Sequence, residues 1–137
     1  GLSMRLVAGR GFGAQSVKTH SPMFYAHAEM EAGTKVELPA DYAECAAYVV
    51  TGRVRTEGQE LAAAQMAVFS DGAAPVIEAL EKSTVMLLGG DPVGQRFIDW
   101  NFVSSSKERI EQAKADYTSG RMKLPDLDHD EFTPLPK

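Results

Sequence analysis

Several features are scarce in this chain of 137 residues. It has one cysteine and one tryptophan, and its 14 basic residues are outnumbered by 19 acidic ones, which gives a formal net charge of −5. A single cysteine cannot form an intramolecular disulfide, so a disulfide scaffold is excluded and a cytoplasmic location is expected. The acidic balance argues against direct nucleic-acid binding, because the phosphate backbone requires a basic surface.

Long hydrophobic runs are also lacking. Apolar runs such as residues 85–88 are far shorter than the roughly 20 apolar residues that a membrane-spanning helix needs. No charged segment followed by an apolar one opens the chain, so we expect neither a signal peptide nor a membrane partner. The chain starts without Met and within strand-like sequence, Met4–Ala8. We therefore expect either a processing scar at Gly1 or a piece of a longer protein.

Residues 1–92 carry strand signals separated by turns. Apolar residues alternate with polar ones from Phe24 to Met30, which predicts a two-faced strand. Residues 48–55 predict another strand, and Glu57-Gly58 after it predicts a tight hairpin. Further short strands are predicted at 59–61, 66–69, 76–80 and 84–88, with turns at Asp71-Gly72 and 89–92.

The pattern changes in residues 93–120. Ser105 and Glu108 have capping-box spacing, and Gly120 is a natural stop, so we predict a helix over 106–119. Its apolar stripe consists of Ile110, Ala113 and Tyr117. The tail, residues 121–137, combines prolines with acidic residues and is expected to be extended, either disordered or draped over the domain.

Several segments resemble a known family. Residues 32–33, 48–54, 58–61 and 64–69 are similar to parts of the cupin barrel. More narrowly, residues 21–25 and 100–110 resemble the second half of a bacterial pirin, a protein of two cupin domains. The resemblance covers nearly the whole chain. It implies an all-β fold, with one cupin-type barrel (a double-stranded β-helix or jelly roll) over residues 1–92, followed by the helix and tail.

The resemblance allows the first cupin metal motif to be placed on the chain. That motif runs from a glycine through His-x-His and a glutamate to a second glycine. Aligned from Gly33 to Gly52, it puts the ligand positions at Pro39, Asp41 and Cys45.

The second cupin motif ends on a histidine ligand. Aligned from Ala64, it passes through Ser70 and Gly72 and puts that ligand position at Pro75. A proline side chain has no donor atom, and the two positions that keep one, Asp41 and Cys45, are too few for a stable metal site. We therefore expect no metal, no cofactor and no catalytic residue in this chain.

The family resemblance also carries functional implications. Pirins are iron-binding cupins linked to transcriptional co-regulation in eukaryotes, and some bacterial members have quercetin 2,3-dioxygenase activity. The iron of full-length relatives is expected in the N-terminal cupin. We interpret this chain as the metal-free, non-catalytic half, a structural and interaction domain. Two alternatives remain: part of a quercetin 2,3-dioxygenase whose metal site lies in a missing N-terminal cupin, or a stand-alone cupin that binds a small ligand.

Other residues have a plain structural interpretation beside a functional one. Cys45 fits a buried small hydrophobe better than a redox thiol. His27 is interpreted as a structural or exposed histidine rather than an acid–base group, and His20 and His129 have no metal-ligand spacing. The stretch 9–13 is glycine-rich but lacks the rest of a phosphate loop, so it predicts a flexible turn.

Aromatic residues concentrate after residue 96. Phe97, Trp100 and Phe102 are candidates for an interaction surface, with a packing role as the alternative. A domain that lacks its partner half leaves an apolar face uncovered, so we expect a homodimer. Its anchors are expected in residues 23–30 and around these aromatics, with Phe132 and Leu135 of the tail reaching the neighbour.

Overall fold

The structure is a computed structural model that describes residues 1–69 and 73–136. It divides into two units, Gly1–Pro92 and Val93–Lys137. The predicted turn at Asp71-Gly72 lies outside the described residues. The first unit contains β1 Leu2–Gly9, β2 Met23–Met30, β3 Lys35–Glu37, β4 Glu44–Thr51, β5 Arg53–Thr56, β6 Gln59–Ala62, β7 Met66–Phe69, β8 Val76–Ala79 and β9 Ser83–Gly90. The second contains β10 Phe97–Asp99, β11 Phe102–Ser104 and α1 Lys107–Thr118.

The strands of the first unit form two antiparallel sheets. One has the order β1-β2-β9-β4-β7 and the other the order β3-β8-β5-β6. The all-β expectation is confirmed, but the closed barrel is not what forms. Among the described residues, no strand of one sheet is hydrogen-bonded to a strand of the other, so the two sheets remain open layers that pack through their side chains.

The core lies between these two sheets. Alternate residues of β2, from Phe24 to Met30, are buried, as the two-faced pattern predicted. Alternation in β4 and β9 turns Val49 and Val85 to the same side. The opposite sheet contributes buried residues to the same cluster, namely Val36, Val54, Ile77 and Ala79.

The hairpin between β5 and β6 forms where the sequence predicted it. Thr56 pairs with Gln59, which leaves Glu57 and Gly58 as a two-residue loop with φ angles of 48° and 77°. Two positive φ angles give the turn whose twist matches paired strands, and Gly58 adopts its angle without a steric penalty.

The second unit begins with a hairpin that the sequence did not predict. β10 and β11 pair around Trp100-Asn101, and Trp100 has a φ of 51°. The helix α1 confirms the prediction within a residue at each end. Its N-cap, however, is Ser106 rather than Ser105: the Ser106 hydroxyl accepts a hydrogen bond from the Arg109 amide. Glu108 contacts that same hydroxyl, so the predicted reciprocal box does not form.

The helix ends at Thr118, and Gly120 follows in the C-cap as the predicted stop. Gly120 has a φ of 74°, and its amide donates to the Tyr117 carbonyl while the next amide, of Arg121, donates to the Asp116 carbonyl. These two bonds form a Schellman C-cap. The tail packs on its own unit, since the Tyr117 hydroxyl donates to the Thr133 carbonyl at 2.5 Å. Of the described helices, none has the length and apolarity to cross a membrane.

Candidate functional site

The first two positions of the degenerate metal motif lie beside a loop. Pro39 and Asp41 border a groove of about 420 Å³ together with residues of the 10–16 segment. Asp41 is exposed and pairs with Arg10, whose guanidinium lies 3.7 Å from the carboxylate. The carboxylate is therefore engaged at the surface.

The other two positions are buried. Cys45 lies on β4 opposite Gly89 and Phe69, and it belongs to the core. Pro75 is buried next to Leu38, whose amide donates to the Pro75 carbonyl at 3.0 Å. Within residues 1–69 and 73–136, no three His, Cys, Asp or Glu side chains come together as a metal site would require. The four aligned positions therefore present two donor side chains, Asp41 at the surface and Cys45 in the core.

Aromatic side chains fill the interior near these positions. The Phe24 ring lies 5.2 Å from Tyr42 and 5.5 Å from Phe12, measured between centroids. The Tyr42 hydroxyl donates to the Arg10 carbonyl at 2.7 Å and lies 3.2 Å from the Met23 carbonyl. The loop residues Phe12 and Tyr42 therefore pack against Phe24 of β2. No sequence pattern indicated the roles of Phe12 and Tyr42, because both lie outside regular strands.

Burial decides the chemistry of Cys45. Removal from water raises the pKa of the thiol above its ordinary value, and the charge of Glu57 raises it further. The thiolate, which is the reactive form, is thereby disfavoured. The interpretation of Cys45 as a buried hydrophobe agrees with this position.

An apolar groove of about 640 Å³ lies at one end of the five-stranded sheet. Gly89 is required there, since a Cβ at this position would lie 2.4 Å from the Phe24 ring and 2.6 Å from the Glu44 carbonyl. The groove is lined by residues at the ends of β2, β4, β7 and β9, among them Met23, Ala46, Val68, Leu88 and Gly90. The sequence predicted a turn at Gly89 and Gly90, so no sequence signal indicated a groove.

The face of the five-stranded sheet turned away from the core is largely apolar. The strand register aligns Tyr25, Leu88, Ala46 and Val68 in one row across four strands. The next row aligns Met86, Tyr48 and Met66, with His27 and Arg5 at its far end. We call this surface the apolar face; its members are Tyr25, Ala46, Tyr48, Met66, Val68, Met86 and Leu88. Met66 is 50% exposed and Val68 is 76% exposed.

The face of the four-stranded sheet turned away from the core is charged. Arg55 lies 2.9 Å from Glu60 and 3.9 Å from Glu78. Arg53 contacts Glu60 and Glu81, and Lys35 contacts Glu78, at 3.3–3.8 Å. We call this network the charged face. Strict alternation in the sequence could have revealed the contrast between the two faces once the strand order was known.

The histidines do not gather into a site. His27 is half-buried on β2, with Arg5 and Met86 as its neighbours across the sheet. His20 is exposed in the segment before β2. His129 lies in the tail, where its ring nitrogen lies 3.0 Å from the Asp126 carbonyl.

The aromatics of the second unit form a cluster, with one exception. Trp100 packs against Phe102 at 5.7 Å and Tyr117 at 5.2 Å, and Tyr117 also contacts Phe132 of the tail at 6.1 Å. Phe97 stands apart, with the Lys107 ammonium 5.0 Å above its ring. The structure thus brings together two of the three predicted interface residues, and both pack within their own unit.

Comparisons with known proteins agree on one family. Residues 25–123 match the model of the pirin C-terminal cupin domain. The chain is 64% identical to a pirin-like protein of Caulobacter vibrioides over 100% of this chain and 48% of that protein. It is thus similar to a protein of which it spans about half the length.

Solved structures show the same fold. A quercetin 2,3-dioxygenase from Acinetobacter baumannii superposes with a TM-score of 0.83 over 100% of this chain and 48% of that one, at 23% identity. A bacterial pirin from Escherichia coli, solved in complex with nickel(II), gives a TM-score of 0.57 at 22% identity over 66% of this chain and 40% of that one. At these identities the likeness concerns the fold.

Proposed function

Because this chain belongs to the pirin C-terminal cupin domain family, we propose that it is the metal-free, non-catalytic half of a pirin-like protein and acts as a structural and interaction domain. One observation carries the proposal. Of the four family ligand positions, two are prolines, one is a carboxylate paired with Arg10 at the surface, and one is the core thiol Cys45.

The physical reason is a shortage of donors. Proline offers no side-chain lone pair, and a protein metal site needs at least three well-placed ligands. The Phe12, Phe24 and Tyr42 stack fills the adjacent interior with carbon. The catalytic centre of the full-length protein would then lie in its other half, and this half would supply packing surface. A jelly-roll topology and a cytoplasmic location belong to the same proposal.

Elemental analysis of the purified chain tests this proposal. After expression with iron and gentle purification, we expect a metal content far below one atom per chain for iron, manganese, nickel and zinc. Asp41→Asn and Cys45→Ala serve as matched variants and should leave that small content unchanged. Close to one metal per chain, lost in either variant, would contradict the proposal.

A second candidate function is a share in a quercetin 2,3-dioxygenase. It is favoured by the fold shared with the Acinetobacter enzyme. The discriminating assay follows quercetin absorbance in two samples. One contains the chain alone, and the other contains a joined protein in which the chain replaces the matching half of the Caulobacter protein. Turnover only in the joined protein supports this candidate and keeps the chain itself non-catalytic. Turnover by the chain alone, above a free-iron control, would overturn the non-catalytic assignment.

The groove supports a third candidate, a stand-alone module that binds a small ligand. Its lining is mostly apolar, as small-molecule sites tend to be. Saturable quercetin binding by the isolated chain, abolished by Ala46→Trp and retained by Val76→Lys, would favour it. Ala46→Trp would fill the groove, whereas Val76 lies on the four-stranded sheet.

The isolated chain is also proposed to form a homodimer. The apolar face exposes Met66 and Val68, and a two-fold pair would cover them on both copies. Light scattering over a concentration series measures the mass, which is 14.8 kDa for one chain. A mass that stays at the monomer value as concentration rises would contradict the homodimer.

A further inference from the structure

The second unit contains a groove that the proposed function does not use. It is lined by Trp100, Phe102 and Tyr117 and by residues of the tail between 122 and 133. Its volume is about 370 Å³, which falls within the range of small-molecule sites, roughly 300–1,000 Å³. We call it the aromatic groove. Its lining residues all belong to the second unit, so it is a feature of that unit alone.

The rings of the aromatic groove stand at steep angles to one another. The planes of Trp100, Phe102 and Tyr117 meet at 68–79°, and their centroids lie 5.2–6.1 Å apart. Phe132 of the tail adds a fourth ring at 72° to Tyr117, and the Tyr117 hydroxyl holds the tail there through the Thr133 carbonyl. Phe132 is exposed and the other three are half-buried, so part of each ring stays accessible. Rings placed in this way form adjoining walls, as in the aromatic cages that recognise quaternary ammonium groups.

The charge along the aromatic groove has one sign. Asp128 and Glu131 belong to its lining, and no Lys, Arg or His is among the lining residues that the structure describes. The ion pairs described for acidic residues of the tail use Asp126 and Asp130 instead. An anion would therefore be repelled, whereas a cation would be attracted both by the two carboxylates and by the ring faces.

The apolar part of the lining selects the kind of cation. Met122, Leu124 and Pro125 add carbon surface beside the rings. A divalent metal ion takes several more oxygen ligands than two carboxylates supply. A primary ammonium group would lose hydrogen bonds to water against carbon, which costs free energy. A quaternary ammonium group has no N–H to satisfy and presents methyl groups to the rings, so it fits this lining best.

We propose that the aromatic groove binds a small quaternary ammonium compound. The rings of Trp100, Tyr117 and Phe132 contact its methyl groups. The carboxylates of Asp128 and Glu131 supply the counter-charge. This inference goes beyond the proposed function, because it assigns a ligand to the second unit whether or not the first unit holds a metal.

Titration of the full chain with three matched probes tests the proposal. Choline carries the trimethylammonium group, 3,3-dimethyl-1-butanol has the same shape without the charge, and glycine betaine adds a carboxylate. The methyl proton signal of each probe is followed by NMR at constant ionic strength, since the ring currents of bound aromatic rings shift it upfield.

We expect saturable choline binding with a dissociation constant on the order of 1 mM. The neutral probe and betaine should bind about tenfold more weakly or not at all, because one lacks the charge and the other is repelled by the carboxylates. Equal binding of choline and its neutral analogue would overturn the proposal. So would the absence of saturable choline binding up to about 20 mM.

Two neighbouring acidic residues provide a matched pair of variants. Glu131 lines the aromatic groove, whereas Asp130 is exposed beside it and does not. Glu131→Gln should weaken choline binding about threefold or more, and Asp130→Asn, which removes the same charge, should leave it unchanged. Equal losses in the two variants would contradict a site at the groove, because only the overall charge would then matter.

The role of the rings is tested at the exposed end of the cluster. Phe132 is 61% exposed, so Phe132→Leu removes an aromatic face and keeps an apolar side chain without disturbing a buried position. Choline binding should fall about threefold, while the weak binding of the neutral probe should stay the same. A variant that binds choline as tightly as the wild type would remove Phe132 from the site and contradict the cage.

Discussion

The two outer faces of the first unit are built on the same core and differ in almost everything else. The charged face holds its side chains in ion pairs across β3, β8, β5 and β6. The apolar face shows methionine, valine and tyrosine side chains across β2, β9, β4 and β7. A sheet that faces water needs polar side chains outside, whereas a sheet covered on both sides is apolar throughout. The difference indicates that a covering surface would gain more free energy on the apolar face than on the charged face.

The largest expected effect comes from the core that both faces share. Phe24 is fully buried and its neighbour Tyr25 is half-buried on the apolar face of the same strand. Phe24→Ala should lower the free energy of unfolding by about 3–5 kcal/mol, and Tyr25→Ala by clearly less. Urea unfolding of both variants measures the difference. Equal losses would mean that the apolar face is packed like a core even in the isolated chain.

Thiol reactivity separates the two sides of one strand pair. Cys45 pairs with Phe69 on the core side, and the next residues, Ala46 and Val68, pair on the apolar face. Because burial raises the pKa of Cys45, its labelling at pH 8 should be about a hundredfold slower than that of Val68→Cys in a Cys45→Ala background. Comparable rates in the folded chains would contradict the assignment of the two sides.

Self-association should depend on one face only. Val68→Lys places a charge on the apolar face and should weaken the proposed homodimer about tenfold, which is a loss of about 1.4 kcal/mol. Val76→Lys places the same charge on the other sheet and should leave the dissociation constant unchanged. Sedimentation or light scattering of both variants compares them. A larger effect of Val76→Lys than of Val68→Lys would show that the chain self-associates through the four-stranded sheet instead.

The smallest effect is expected on the charged face. Arg55 is about half exposed and pairs with Glu60 and Glu78. Exposed ion pairs contribute little, so Arg55→Ala should lower stability by less than about 1 kcal/mol, and added salt should reduce even that. Thermal unfolding of wild type and variant at low and high salt gives the measurement. A loss of several kcal/mol would show that this face is not simply solvated.

Much of the fold could be predicted from local pattern. The alternation from Phe24 to Met30, the turn at Glu57-Gly58 and the stop at Gly120 each depend on neighbours in sequence, and each is confirmed. The cap at Ser106 was misplaced by one residue because Ser104, Ser105 and Ser106 offer the same hydroxyl. Only the backbone geometry decides which of them begins a helix.

Other features depend on residues far apart in the chain. The predicted cupin-type barrel is confirmed as two facing sheets but, among the described residues, not as a closed one. Closure requires hydrogen bonds between the sheets, which no local pattern records. The β10–β11 hairpin was missed because Trp100 at φ 51° is an unusual turn residue. The groove beside Gly89 required knowing that Phe24 lies across the sheet from it. The metal-ligand positions and the dimer remain predictions.

The single tryptophan has a practical consequence. Trp100 lies in the second unit, packed edge-on against Tyr117 and Phe102, whereas the two large sheets lie in the first. Indole fluorescence therefore reports the surroundings of Trp100 in the second unit, while far-ultraviolet circular dichroism is dominated by the sheets. Without any added label, the chain carries separate optical probes for its two parts. Coincidence of the two signals during unfolding would measure whether the parts melt as one cooperative unit.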